Sequence, residues 1–263
     1  MDKHLRGKGG ACGDSLQAPR GWRASAGDLP SKGPPVWFGP PRAVIFDFDG
    51  VIADTEWLHF ECFSRVLAEE GILISTQDHD QRFLGINDRA GFAKAFLEVS
   101  RPLPPEACGH LVERKSAYYR RRLGEIRLFP GVADLLRALA ARVPLGIGSG
   151  GRGEEIEAVL RAHGVRDLFE ALLSADHVFR SKPAPDCFVQ AMEALRQCAG
   201  RLAGRLGAQE CLVVEDSVPG VEAAKAAGMR CLAVAHTFPK ELLSQADRVV
   251  ERIGALAVEE MLG

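Results

Sequence analysis

The chain has 263 residues, 46% of them hydrophobic and 26% charged, and 33 Lys and Arg against 35 Asp and Glu give a formal net charge of −2. Such a length and composition describe one large globular domain or a core with an insertion, and they exclude collagen, coiled coil and wholesale disorder. The near-neutral balance excludes binding to nucleic acid or to a membrane surface through bulk charge, and no apolar run approaches the roughly 20 residues of a membrane helix.

Residues 1–42 hold eight Gly and six Pro, with seven basic residues against three acidic ones and no helical or alternating apolar period. Such a segment cannot bury enough apolar surface to offset its ordering entropy, so a disordered tail is expected over 1–41. It has no apolar h-region, as a signal peptide would need, and Asp2, Asp14 and Asp28 argue against a transit peptide. The seven cysteines (12, 62, 108, 187, 198, 211 and 231) are scattered without a C-x-x-C pair, which points to reduced thiols and a cytoplasmic location. Cys62, Cys187, Cys211 and Cys231 fall on apolar faces or in strands and read as core residues.

From Arg42 the pattern changes. Ala43-Val-Ile-Phe-Asp47 is a short apolar run ending on a carboxylate, the form of a strand buried on both faces. Thr55 to Glu70 carries Trp57, Phe60, Phe63, Val66 and Leu67 at helical spacing, with Thr55 as N-cap and Gly71 as stop. Further helical pattern covers 75–83, 88–98 and 104–123 without a strand between, and Pro130-Gly131 marks a boundary. Helix and strand then alternate: helices over Val132–Ala141, Glu154–His163, Asp186–Leu195, Val218–Ala227 and Ile253–Met261, with strands over Leu145–Ile147, Ala171–Ser174, Cys211–Val214, Cys231–Val234 and Arg248–Val250. The expected fold is α/β, a doubly wound, Rossmann-like parallel sheet with an inserted all-helical cap domain. The core should comprise 42–54 and 131–263, and the cap 55–130.

Ligands of open α/β sheets bind beyond the carboxyl ends of the strands, so the residues there read as one site. The first strand ends in Asp47-Phe-Asp49-Gly50, and the strand at 145–147 runs into Gly148-Ser149-Gly150-Gly151. Ser181-Lys182-Pro183 precedes the helix at 186, and the strand at 211–214 ends in Glu215-Asp216-Ser217. Carboxylates gathered at one point repel unless a cation sits among them, and few hard oxygen ligands suit Mg²⁺. A lysine and a hydroxyl beside that metal suit a phosphoryl oxygen. Gly146-Ile-Gly-Ser-Gly-Gly151 also matches G-x-G-x-x-G, but it opens the second strand unit and Asp167 precedes the next strand, so a phosphate cradle is the better reading than a dinucleotide site. Arg120-Arg121-Arg122 beside Tyr118 and Tyr119 reads as a solvated last helical turn.

Phe46-Asp-Phe-Asp-Gly-Val-Ile-Ala-Asp-Thr55, followed by Ser149, Lys182-Pro183 and Glu215-Asp216-Ser217, resembles the four motifs of the haloacid dehalogenase superfamily. The likeness covers about residues 42–250, and the helical insertion is similar to the cap of the subfamily in which the cap follows the first motif. It implies Asp47 as a nucleophile forming an aspartyl-phosphate and Asp49 as general acid and base. It implies Mg²⁺ held by Asp47, the Asp49 carbonyl and Asp216, with Glu215 bound or close behind, and phosphoryl oxygens held by Ser149, Gly150 and Lys182. Thr55 and Pro130 would lie near the two hinges of the cap.

An acid at Asp49 sets the chain apart from the superfamily's C–halogen and C–P cleaving members. A phosphatase of small phosphorylated metabolites, most simply sugar phosphates, is the expected function, with a β-phosphoglucomutase-like enzyme and a noncatalytic phosphate-binding module as alternatives. His59 and Arg152 match positions that are histidine and basic in the mutases. Leu84 stands where mutases have lysine, and the loop arginine is displaced by one residue, to Arg89. Arg89 and Lys115 are expected to contact an anionic substrate from the cap. A monomer or weak dimer is expected, with no protein partner indicated.

Overall fold

The computed structural model describes residues 39–198, 200 and 205–263; the expected tail lies outside these except for 39–41, as does Cys12. The chain runs β1 (Ala43–Phe46), β2 (Ala53–Asp54), α1 (Glu56–Glu69), α2 (Thr76–Arg82), α3 (Asp88–Glu98), α4 (Pro105–Arg120) and β3 (Arg127–Leu128). It continues with α5 (Val132–Ala140), β4 (Leu145–Gly148), α6 (Gly153–Ala162), β5 (Ala171–Leu173), α7 (Asp186–Cys198), β6 (Cys211–Glu215), α8 (Val218–Ala226), β7 (Arg230–Val234), β8 (Arg248–Val250) and α9 (Val258–Leu262).

Six strands form one parallel sheet in the order β5-β4-β1-β6-β7-β8. The chain grows outward from β1 in both directions, first to β4 and β5, then to β6, β7 and β8. That reversal places a crevice at the carboxyl end of β1, where open α/β sheets bind ligands. All four β1 side chains are buried, because helices cover both faces of the sheet. Strand alternation then divides them: Val44 and Phe46 pack with Leu136, Leu139 and Leu160, whereas Ala43 and Ile45 pack with Phe188, Leu195 and Val221.

Helices α1–α4 are inserted between β1 and β4, as expected of a cap. They carry an apolar cluster of their own, built on Phe63, Val66, Leu67, Phe83, Phe92 and Phe96. Gly71 follows α1 at φ +76°, a left-handed stop that glycine accepts without strain. The five cysteines at 62, 108, 187, 211 and 231 are free and buried, which agrees with the core reading of four of them.

Two elements differ from the sequence reading. The chain enters and leaves the insertion through an antiparallel ribbon in which Ala53 pairs with Leu128 and Asp54 with Arg127, where no strand was expected. Two residues a side are too few to show a period. The expected helix over Ile253–Met261 divides into a 3₁₀ turn at Ile253–Ala255 and α9. A Cβ on Gly254 would fall 1.8 Å from the Pro130 carbonyl oxygen, so the backbone is pinned there, and Glu260 caps a fresh start by accepting from the Ala257 amide at 3.1 Å.

Ile45 is fully buried in the central strand. Ile45→Ala is expected to cost about 2–5 kcal/mol, through lost burial and the cavity left behind. Urea denaturation checks this; a loss below about 1 kcal/mol would show that the sheet closes over the gap.

Candidate active site

Four loops meet at the carboxyl ends of β1, β4 and β6. Asp47 ends β1, and its backbone amide donates to the Val214 carbonyl of β6 at 2.9 Å, which fixes where the side chain emerges. The turn that follows needs a glycine. Gly50 has φ +73°, and a Cβ there would lie 1.8 Å from an Asp216 carboxylate oxygen. This close approach brings the end of β6 against the end of β1.

Lys182 reaches in from the loop before α7. Its Nζ lies 2.8 Å from Asp47 Oδ1 and 2.5 Å from Glu215 Oε1. The buried Asp47 Oδ1 thus has the Lys182 ammonium as its partner. Glu215 is fully buried, and its Oε2 accepts from the amides of Asp216 and Ser217, each at 2.8 Å, and from the Ser217 hydroxyl at 2.9 Å. Ser217 in turn caps α8 by accepting from the Gly220 amide at 3.1 Å.

Asp49 is held from the helical insertion. Its Oδ1 accepts from the Thr55 hydroxyl at 2.7 Å and meets His59 Nε2 at 3.3 Å. Thr55 therefore departs from the expected role: it stands at the N-cap of α1 but makes no side-chain cap bond, because its hydroxyl is spent on Asp49. His59 stacks on Tyr119 with ring centroids 4.5 Å apart, and its Nδ1 lies 2.9 Å from Lys115 Nζ. An ammonium can only donate, so Nδ1 accepts and Nε2 carries the hydrogen that faces Asp49. Lys115 is itself ion-paired with Asp88, the first residue of α3.

A cavity of about 500 Å³ opens between the sheet and the insertion. Asp47, Asp49, Gly150, Lys182 and Asp216 line its floor. His59, Arg89, Lys115 and Arg152 line its walls. Glu215 and Ser149 lie behind this lining, and the Ser149 hydroxyl accepts from the Gly151 amide at 3.0 Å. Arg152 pairs with Glu113 of α4 at 2.5 Å, while Arg89 is exposed and donates to the Pro105 carbonyl at 3.5 Å.

A family model for haloacid dehalogenase-like hydrolases matches residues 44–234. The chain belongs to this family. It is 34% identical over 191 residues to the fructose-1-phosphate phosphatase YqaB of Escherichia coli (strain K12), across 71% of this chain and 92% of the relative. The structure of CbbY from Rhodobacter sphaeroides in complex with xylulose-(1,5)bisphosphate superposes with a TM-score of 0.71 and 26% identity, covering 82% of this chain and 96% of that one. β-Phosphoglucomutase from Clostridium difficile superposes with a TM-score of 0.73 and 25% identity, covering 84% and 95%. Phosphatases are among the named relatives of this hydrolase, and its sheet and inserted helical cap follow the family fold. No helix among the described residues is long and apolar enough to cross a membrane.

The electrostatics of the hydrolase's floor are those of crowded acids. Burial raises the Asp47 carboxyl to about 7, against the pull of Lys182 and with Glu215 and Asp49 adding repulsion. Asp216 is driven well above the carboxylate range by burial, then by Glu215 and Asp47. Burial works against ionised Asp49 as well, but hydrogen bonding and charge from His59, and the Thr55 hydroxyl, leave it below its ordinary value. Lys182 is buried too, yet Asp47 and Glu215 hold its ammonium well above the usual lysine range. Oxygens of Asp47, Glu215 and Asp216 lie within 4.8 Å of one another. This close set of three buried carboxylates, with one ammonium among them, fits a small, hard dication.

Several wall residues carried no signal in the sequence. Glu155 of α6 is buried and bonded to Ser116 of α4, joining core to cap. Asp176 lines the cavity and accepts from the Gly153 amide at 2.9 Å. Asp88 adjoins Arg89, the residue of that loop expected to contact an anionic substrate.

Gly50→Ala is expected to lower stability by about 1–3 kcal/mol, from a left-handed φ and a clash with Asp216. Denaturation of the purified variant checks the expectation, and wild-type stability would show that the β1 turn can move away.

Proposed function

We infer that this hydrolase is a Mg²⁺-dependent phosphohydrolase of small phosphorylated metabolites, sugar phosphates foremost, working through an aspartyl-phosphate. The observation that carries the reading is Asp47, a carboxylate on the floor of the cavity with Lys182 on one oxygen and Asp216 beside it. The relatives named as phosphatases of phosphorylated sugars support the substrate class.

An oxygen of Asp47 would attack phosphorus as the bond to the leaving oxygen breaks, and Asp49, carrying the proton taken from water in the preceding turnover, would pass it to that oxygen. Water would then attack the same phosphorus, passing its proton to Asp49, and the Asp47–phosphorus bond would break to release inorganic phosphate. Thr55 and His59 both engage Oδ1 of Asp49, which leaves Oδ2 for the proton. Lys182 and the amides after Ser149 would hold the phosphoryl oxygens, where charge builds in the transition state. Asp47, Asp216 and the Asp49 carbonyl would hold the Mg²⁺, with Glu215 orienting Lys182 and the Asp216 turn. Bound there, the ion neutralises the acids and withdraws charge from the phosphoryl group.

A sugar phosphomutase is the second reading, favoured by the contact of His59 with Asp49, since a histidine at this position is a mutase feature. One assay separates the two. Asp47→Asn is expected to reduce phosphate release from hexose monophosphates by roughly 10³-fold or more, and chelation of divalent metal to abolish it in the wild type. Conversion of β-glucose 1-phosphate to glucose 6-phosphate, primed by the bisphosphate and without net phosphate release, would replace the hydrolase with the mutase. Full activity in Asp47→Asn would remove both.

A further inference from the structure

Three of the four Lys and Arg side chains that line the cavity are already paired. Lys182 is committed to Asp47 and Glu215, and Arg152 to Glu113. Lys115 is the instructive one. Its side chain is only 4% exposed, in a position where an ammonium without a counter-ion would be costly. Asp88 supplies that counter-ion from the neighbouring helix α3, 27 residues earlier in the chain.

Asp88 is held there by the start of its helix. The side chain of Asn87 caps α3 by accepting from the Ala90 amide at 3.0 Å, and its Nδ2 donates to the Ser181 hydroxyl of the core loop at 3.2 Å. The α3 N-terminus is thus tied to the segment that carries Lys182. Glu155 and Asp176 add further acid to the lining. Arg89, the cation with no carboxylate partner, is exposed at the rim, where water and salt screen it.

We propose that Asp88 is a specificity-determining residue: by neutralising Lys115 it denies the cavity a binding site for a second anionic group, so the enzyme takes monophosphates with an uncharged leaving group and discriminates against bisphosphates. The proposal rests on the phosphohydrolase reading. Two groups sharing one ion pair cannot also meet a phosphate without leaving Asp88 facing it, and like charges brought together at short range are costly. Apolar surface near Asp88 comes from Phe83, Ile86 and Phe238, which line the cavity as well.

The test is a charge series on the full-length protein: wild type, Asp88→Asn, Lys115→Met and the double variant, each assayed on a hexose monophosphate and a hexose bisphosphate. The ratio of the two kcat/KM values is the readout, because a fault in the shared chemical step cancels in it. The wild type is expected to favour the monophosphate by at least about tenfold. Asp88→Asn, which leaves Lys115 unopposed, should shift the ratio toward the bisphosphate by about tenfold, and Lys115→Met should shift it the other way. The double variant, neutral again, should return close to wild type. A ratio that does not follow this order overturns the proposal, as does a wild type that accepts bisphosphate and loses it on Arg89→Ala. Should none of the proteins release phosphate, the hydrolase reading fails by itself. The rise in melting temperature with each ligand then decides the selectivity, and an order that ignores the charge series counts against Asp88.

Discussion

Three carboxylates cannot be buried side by side at the end of a sheet unless positive charge is buried with them. Lys182 meets that demand, with one ammonium between Asp47 and Glu215. Much of the local structure follows from keeping this arrangement intact. Glu215 gives one oxygen to Lys182 and the other to the Asp216–Ser217 turn, so the lysine is aimed by the same residue that sets the start of α8. A Cβ at Gly220 would lie 1.8 Å from Glu215 Oε1, so the helix must present bare backbone there. One ammonium among three acids leaves a net negative charge, and burial, with the remaining repulsion added to it, raises the Asp47 and Asp216 carboxyls.

Asp49 shows the opposite balance. It is half-buried, and donors from Thr55 and His59 keep it ionised more readily than a free aspartate. Two acids separated by one residue thus sit on opposite sides of the ordinary carboxylate value. The difference comes from what faces each: acids from β6 on one side, a threonine and a histidine from α1 on the other. The histidine is set in turn by Lys115, and Lys115 by Asp88, so a line of contacts runs from the first turn of α3 to the floor of the crevice.

The sheet was legible in the sequence because its strands are short apolar runs bounded by Gly, Pro and polar turns, alternating with amphipathic helices. The floor residues were legible because each follows a strand end directly, so order along the chain translated into position in space. The walls were not. The contact between Asp88 and Lys115 joins residues on different helices, and nothing in the local pattern around either marks the other. The Thr55 hydroxyl was read as a helix cap because a threonine before an apolar run ordinarily serves as one; here a buried carboxylate competes for the same hydroxyl and wins. The ribbon of β2 and β3 escaped notice for another reason, since pairs of two residues are defined by their partner strand alone.

The apolar cluster of the inserted helices shares none of its buried members with the two clusters that cover the sheet. Substitutions in well-separated clusters add almost independently. A change at Phe83 or Ile86 that recuts the wall of the cavity therefore falls mainly on the insertion, while the strands that carry Asp47 and Asp216 keep their own support. A protein divided in this way can explore new leaving groups through the insertion, and the sheet that holds the reacting atoms need not be re-optimised each time.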